Sequence, residues 1–206
     1  MKPWLVLNGK DGLPASMNNV LQNIDVVCFD LFGTLINIID RQRPLAQILR
    51  RLPKGKVELF RRLAMTSDMS IAAINDQIMA GASVADLIAA QTAISHEVAS
   101  LRLCPGIAEI LAGLPVPYGI CSNLSVDYVG ALKRFPEIKP AFQVLSCFVG
   151  HQKPDQQIYE MVAKASGAPP GRIMFVGDTP SADIEGPRQA GMKAMLIDEF
   201  VAQVSG

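Results

Sequence analysis

Val26-Val27-Cys28-Phe29-Asp30-Leu31-Phe32-Gly33-Thr34-Leu35 decides how this chain is read. A short apolar run rich in β-branched and aromatic residues is the pattern of a buried strand. The run ends on a carboxylate, and a Gly-Thr turn follows. An acid at the C-terminal end of a strand stands where open α/β sheets bind their ligands. Asp30 is therefore the candidate nucleophile. Phe32 fills the position where a second acid would be useful.

Working outward, residues 1–22 carry the turn formers Gly9, Asp11, Gly12, Pro14 and Ser16 and little periodicity. They read as an extension to the core, with a short strand expected at Trp4-Leu5-Val6-Leu7. Residues 41–101 read as a helical insertion. Leu45, Ile48, Leu49 and Leu52 share one helical face, followed by Leu59, Phe60 and Leu63, then Ile71, Ile74 and Ile78, then Val84, Leu87 and Ile88. Breaks are expected at Pro53-Lys54-Gly55 and at Gly81, with Ser83 as an N-cap. That spacing predicts about four short helices.

After Cys104-Pro105-Gly106 the pattern alternates. Helices are predicted over 107–114, 126–135, 155–166 and 183–190. Strands are predicted over 116–121, 142–148, 172–176 and 193–197. Such alternation argues for α/β architecture with a doubly wound parallel sheet. The core would comprise 23–40 and 102–206, interrupted by an all-helical insertion over 41–101.

Composition agrees with a chain that folds on its own core. Half of the 206 residues are hydrophobic and 18% are charged, enough apolar material for a sizeable interior without disulfides. Formal net charge is zero and no basic stripe with interleaved aromatics occurs, so a nucleic-acid partner is not expected. Cys28, Cys104, Cys121 and Cys147 lack C-x-x-C spacing, and three lie in apolar strand-like runs. Buried reduced thiols are expected rather than metal ligands. No apolar run approaches a membrane span, and the Met1–Leu7 stretch is too short for a secretory signal. A cytoplasmic location, a small-molecule substrate and no membrane partner follow as expectations, and a homodimer is compatible with the chain.

The polar residues at the strand ends carry the functional reading. Asp30, Ser122-Asn123, Lys153 and Gly177-Asp178 each fall at or just after a strand. In a parallel sheet those ends share one edge, so the side chains can converge. One strand-ending Asp alone would be read as a turn or cap residue. Four at matching ends read as a site.

These residues resemble the haloacid dehalogenase-like (HAD) hydrolase superfamily, populated mostly by phosphatases, over nearly everything from Asp25 to Ile197. Asp30-Leu31-Phe32-Gly33-Thr34 looks like its first motif, Ser122-Asn123 its second and Lys153-Pro154-Asp155 its third. Gly177-Asp178-Thr179-Pro180-Ser181-Ala182-Asp183 looks like its fourth, and Gly186-Pro187-Arg188-Gln189-Ala190-Gly191-Met192 shares the family's texture. The resemblance implies a Rossmann-like core and a helical cap. It implies Asp30 as nucleophile and a Mg²⁺ cofactor held by Asp30, the Phe32 backbone carbonyl and Asp178, with Asp183 in support. Lys153 would hold Asp30 and the phosphoryl oxygens. The Ser122 hydroxyl and the Asn123 backbone N–H would bind a phosphoryl oxygen, and the Thr34 hydroxyl would orient Asp30.

Phe32 departs from the phosphatase pattern, which has a second Asp to protonate the leaving group. Help of that kind is worth ~10²–10⁴ in rate. The family's 2-haloacid dehalogenases also lack this acid and carry an aromatic there, because a halide leaves unprotonated. Tyr159 matches them as well. Asp178 and Asp183 pull the other way, since they keep the spacing of the metal-dependent members. The reading is a Mg²⁺-dependent phosphatase. The alternatives are a metal-independent 2-haloacid dehalogenase and a protein that binds a phosphorylated metabolite or partner without turnover. Arg61 and Arg62 fall where a dehalogenase would hold its anion, but are expected to be solvated or packed in the cap. His151 is expected in an exposed loop and His96 on the surface, while Met65, Met69 and Met79 are expected to fill helix packing.

Overall fold

Val26–Phe29 is indeed a strand, β1, and all four of its residues are buried. In the computed structural model, which describes residues 15–205, β1 lies between β4 (Tyr118–Ser122) and β6 (Ile173–Gly177). β5 (Phe142–Leu145) and β7 (Lys193–Leu196) complete a parallel sheet in the order β5-β4-β1-β6-β7. Phe29 stands level with Ile120 of β4 and Val176 of β6. A strand covered on both faces must be apolar throughout, which is why β1 reads as a continuous run rather than an alternation.

Successive side chains of β1 feed opposite layers. Phe29 packs edge-on against Tyr118 and Phe200, within a cluster closed by α1 (Ala15–Val20), α6 (Ile107–Gly113) and α10 (Ile197–Ser205). Cys28 faces the other layer, where Tyr159 and Ile158 of α8 (Gln156–Ser166) meet Phe175. Cys28, Cys121 and Cys147 are buried, and Cys104 is partly so. No disulfide joins the cysteines.

The insertion holds α2 (Pro44–Leu49), α3 (Lys54–Thr66), α4 (Ile71–Gln77) and α5 (Val84–Ser100). Phe60, Ala64, Ile74 and Ile94 form its own small core. Ser83 caps α5, with Asp86 completing a reciprocal capping box. Among the described residues no helix is long and apolar enough to cross a membrane.

Several expectations need correction. β2 (Ile36–Ile38) and β3 (Leu101–Leu103) pair antiparallel and bracket the insertion, a ribbon that the sequence reading missed. The break expected at Pro53-Lys54-Gly55 falls between α2 and α3 and ends at Pro53, while Lys54 and Gly55 already belong to the first turn of α3, where N–H groups need no helical partner. The strand expected over 142–148 stops at Leu145. Ser146–Val149 forms a helical turn, α7, because the Ser146 hydroxyl ties back to the Leu124 N–H at 3.0 Å. The helix predicted over 126–135 forms over Val126–Arg134, wound as a 3₁₀-helix.

Residues 15–22 are less peripheral than expected, since Met17 and Leu21 are buried in the core. The strand expected at Trp4–Leu7 lies outside the described residues.

The helix expected over 183–190 starts instead as a π-type turn, Pro180–Glu185, followed by α9 (Gly186–Gln189). The cause is local. Tyr159 Oη donates to the Ala182 carbonyl at 2.5 Å, and the Gly186 N–H reaches back to Ser181 instead. A Cβ on Gly186 would lie 2.2 Å from Tyr159 Oη. Gly186→Ala is therefore expected to destabilise the fold by about 1–3 kcal/mol through overpacking. Gly130→Ala, where a Cβ meets nothing within 4 Å, should cost less. Urea unfolding of both variants checks the difference.

Candidate active site

The backbone of the first motif is wound tightly beyond β1. The Asp30 N–H donates to the Val176 carbonyl at 2.8 Å, and the Leu31 carbonyl accepts from Leu35 and Ile36, each at 2.9 Å. This leaves the Asp30 carboxylate at the sheet edge, 6% exposed. Gly33 turns the chain with φ +93°, and a Cβ there would sit 2.0 Å from Asp178 Oδ2. Gly33 is thus required both by its conformation and by the carboxylate filling the space. Gly177 serves in the same way, since a Cβ there would lie 2.4 Å from the Asp183 carboxyl carbon. The two glycines admit two acids.

Lys153 stands at the centre. Its Nζ lies 2.7 Å from Asp30 Oδ1 and 2.6 Å from Asp183 Oδ1, and 5.3 Å from the centroid of the Phe175 ring. The Asn123 amide clamps its backbone: the Lys153 N–H donates to Asn123 Oδ1 at 2.7 Å, and Asn123 Nδ2 donates to the Lys153 carbonyl at 2.8 Å. The sequence reading assigned Asn123 only through its backbone N–H and missed this side-chain role, which joins residues far apart in the chain. Thr179 supports the acids, its N–H reaching Asp183 Oδ2 at 2.9 Å and its hydroxyl Asp178 Oδ1 at 3.0 Å. The Thr34 hydroxyl lies 3.4 Å from Asp30 Oδ2, a long contact. Ser122 ends β4 beside β1 and is buried.

Charge in the site does not balance. Asp30 and Asp183 share one ammonium, and Asp178 adds a third carboxylate beside them without touching it. Burial raises the Asp30 pKa, with Asp183 adding to the rise and Lys153 opposing it. Burial acts downward on Lys153, yet Asp30 and Asp183 together hold its pKa above the ordinary lysine range. One oxygen each from Asp30, Asp178 and Asp183 lie within 4.8 Å of one another. Hard oxygen donors with excess negative charge fit a divalent cation such as Mg²⁺.

The Phe32 ring meets Tyr128 edge to face at 5.9 Å between centroids. The Tyr128 hydroxyl donates to Glu97, and burial followed by that bond raises its pKa. Arg62 is exposed, and Arg61 pairs with Glu58 at 2.7 Å. His96 is exposed, as expected, and His151 is half-buried rather than exposed. Met69 packs as expected of filler, Met65 instead lines a cavity beneath the insertion, and Met79 is 82% exposed. Its φ of +44° turns it away from the helix packing assigned to it.

The description "haloacid dehalogenase-like hydrolase" fits residues 24–191. This chain belongs to that family. A HAD enzyme from Bacteroides thetaiotaomicron, solved with magnesium and inorganic phosphate, superposes with TM-score 0.59 at 17% identity, over 84% of this chain and 93% of that one. The 2-haloacid dehalogenase from Pseudomonas syringae gives TM-score 0.53 at 22% identity, covering 83% of this chain and 85% of that one. Both likenesses are of fold. A phosphoserine phosphatase from Thermus thermophilus is 38% identical over 55 residues, which span 27% of this chain and 22% of that protein.

Removing the ammonium from this HAD site would leave two buried carboxylates facing each other. Lys153→Met is expected to cost about 3–5 kcal/mol, read by urea unfolding in metal-free buffer. A loss under 1 kcal/mol, on the scale of an exposed pair, would contradict the charge arrangement.

Proposed function

We propose that this hydrolase is a Mg²⁺-dependent phosphatase acting on a small, soluble phosphate monoester, with Asp30 as its nucleophile. The observation that carries the reading is the grouping of Asp30, Asp178 and Asp183 within 4.8 Å of one another, with only Asp30 and Asp183 neutralised by a buried lysine. A dehalogenase has no use for three gathered carboxylates. A phosphoryl group brings charge that a carboxylate cannot approach unaided, so it calls for a cation.

In this reading an Asp30 oxygen forms a bond to phosphorus as the ester P–O bond breaks. The alcohol leaves as an alkoxide that must find a proton, and an aspartyl phosphate remains. Water then attacks phosphorus, losing a proton, and releases Asp30 and inorganic phosphate. Lys153 holds Asp30 ionised and in place through Oδ1. The Asn123 side chain is occupied with Lys153, which reserves its backbone N–H, together with the Ser122 hydroxyl, for a phosphoryl oxygen. The Thr34 hydroxyl would steady Asp30 Oδ2. Asp30, Asp178 and Asp183, with the Phe32 carbonyl, would hold Mg²⁺, which when bound supplies positive charge to the phosphoryl oxygens.

Phe32 shapes the kinetics. A phenyl ring has no proton to give, and the neighbouring Tyr128 keeps its own proton in the bond to Glu97. Turnover should be much faster with p-nitrophenyl phosphate, whose leaving group needs no proton, than with alkyl phosphates. Phe32→Asp should raise turnover on alkyl phosphates by up to ~10²-fold. Chelator should abolish both activities. Phe32 also sustains the dehalogenase reading. Release of halide from 2-chloropropionate that survives chelation, without phosphatase activity, would replace the proposal by that reading. Absence of both activities would leave a binding protein.

A further inference from the structure

Between the helical insertion and the strand ends lies a cavity of about 550 Å³, within the ~300–1,000 Å³ range of small-molecule sites. It adjoins the catalytic residues without containing them. Tyr128 on its wall touches Phe32, and Gln152 on its wall precedes Lys153. A group filling it would therefore be the part of a substrate remote from the reacting bond.

The charge on that wall is one-sided. Arg41, Arg43 and Arg61 line the cavity against a single acid, Glu97. Arg61 already pairs with Glu58. Glu97 is 4% exposed and fully used: Oε1 accepts from the Gln42 and Arg43 backbone N–H groups at 2.8 Å each, and Oε2 accepts from the Tyr128 hydroxyl. Among the described residues no carboxylate pairs with the Arg41 or Arg43 side chain. Arg43 also holds a left-handed backbone, φ 53° and ψ 55°, directly before Pro44. A non-glycine residue there costs about 1–3 kcal/mol, and a following proline disfavours helical backbone further. The two bonds from buried Glu97 hold this strained loop in place. Residues strained in this way cluster at active sites and ligand clamps.

We infer that this cavity receives the non-reacting end of the substrate, and that this end is a second anionic group, a carboxylate or phosphate, taken by Arg41 and Arg43. Guanidinium groups match both anions with paired N–H donors. The aliphatic side chains of α2 and α3 around them would cover the connecting carbons. Glu97 is a positioning residue, acting through the backbone of Arg43. The inference rests on the phosphatase reading and narrows its substrates to phosphate esters that carry a second anionic group.

The test compares butyl phosphate, carboxybutyl phosphate and butanediol bisphosphate. Turnover is measured with the wild-type protein, and binding by calorimetry on Asp30→Asn, which cannot turn substrate over. Both kcat/KM and Kd should favour the two esters with a second anionic group by about 10-fold or more over butyl phosphate. The better of the two identifies the anion. Arg41→Gln and Arg43→Gln should each remove most of that preference through KM and Kd rather than kcat. If the strained loop does not tolerate Arg43→Gln, Arg41→Gln alone decides. Turnover with equal preference for all three esters, or a preference unchanged in Arg41→Gln, overturns the inference and leaves the phosphatase reading standing. A binding preference without turnover of any ester, p-nitrophenyl phosphate included, supports the cavity and overturns the phosphatase reading.

Discussion

One buried ammonium organises this molecule. Lys153 Nζ sits within 2.7 Å of Asp30 and 2.6 Å of Asp183, and each partner comes from a different strand end. An ion pair this far from water gains only when its geometry is tight and its remaining valences are met. The surrounding structure meets that condition. Asn123 grips the Lys153 backbone on both sides, Thr179 donates to Asp183 and Asp178, and Gly33 and Gly177 give up their side chains so the acids can approach. Parallel strands bring these pieces to one edge. The negative charge that Lys153 does not match is what makes the edge a site.

Much of this was legible beforehand because it rests on short-range pattern. A strand buried on both faces must be apolar at every position, and the residue that follows it must be polar to face the edge. β1 with Asp30 and β6 with Asp178 follow that rule. Ser83 announced α5 because capping is local. The missed features lack a local signature. β2 and β3 have three residues each, too few to establish a period. Glu97 looks like any acid on a helix, and its partners Gln42, Arg43 and Tyr128 are 55, 54 and 31 residues away. The π-turn after Thr179 depends on a tyrosine hydroxyl from α8, which no helical pattern encodes. Met79 misled because methionine at helical spacing resembles core, whereas here it occupies a left-handed turn.

The insertion and the core meet around Phe32. Its ring packs on Tyr128, Tyr128 bonds to Glu97, and Glu97 fixes the loop leading into α2. An acid at position 32 would disturb that apolar contact. The aromatic ring at position 32 therefore joins the Asp30 loop to the wall of the neighbouring cavity.

The central claim is that the three grouped carboxylates, two of them paired with one lysine, are completed by a divalent cation. Calorimetric titration of Mg²⁺ into the wild-type protein and Asp178→Asn tests it most directly. Asp178 is exposed and does not touch Lys153, so its replacement leaves the ion pair intact while removing one hard donor. Saturable binding to the wild type and strongly weakened binding to the variant are expected. No binding to the wild type, or equal affinity in both, would contradict the claim.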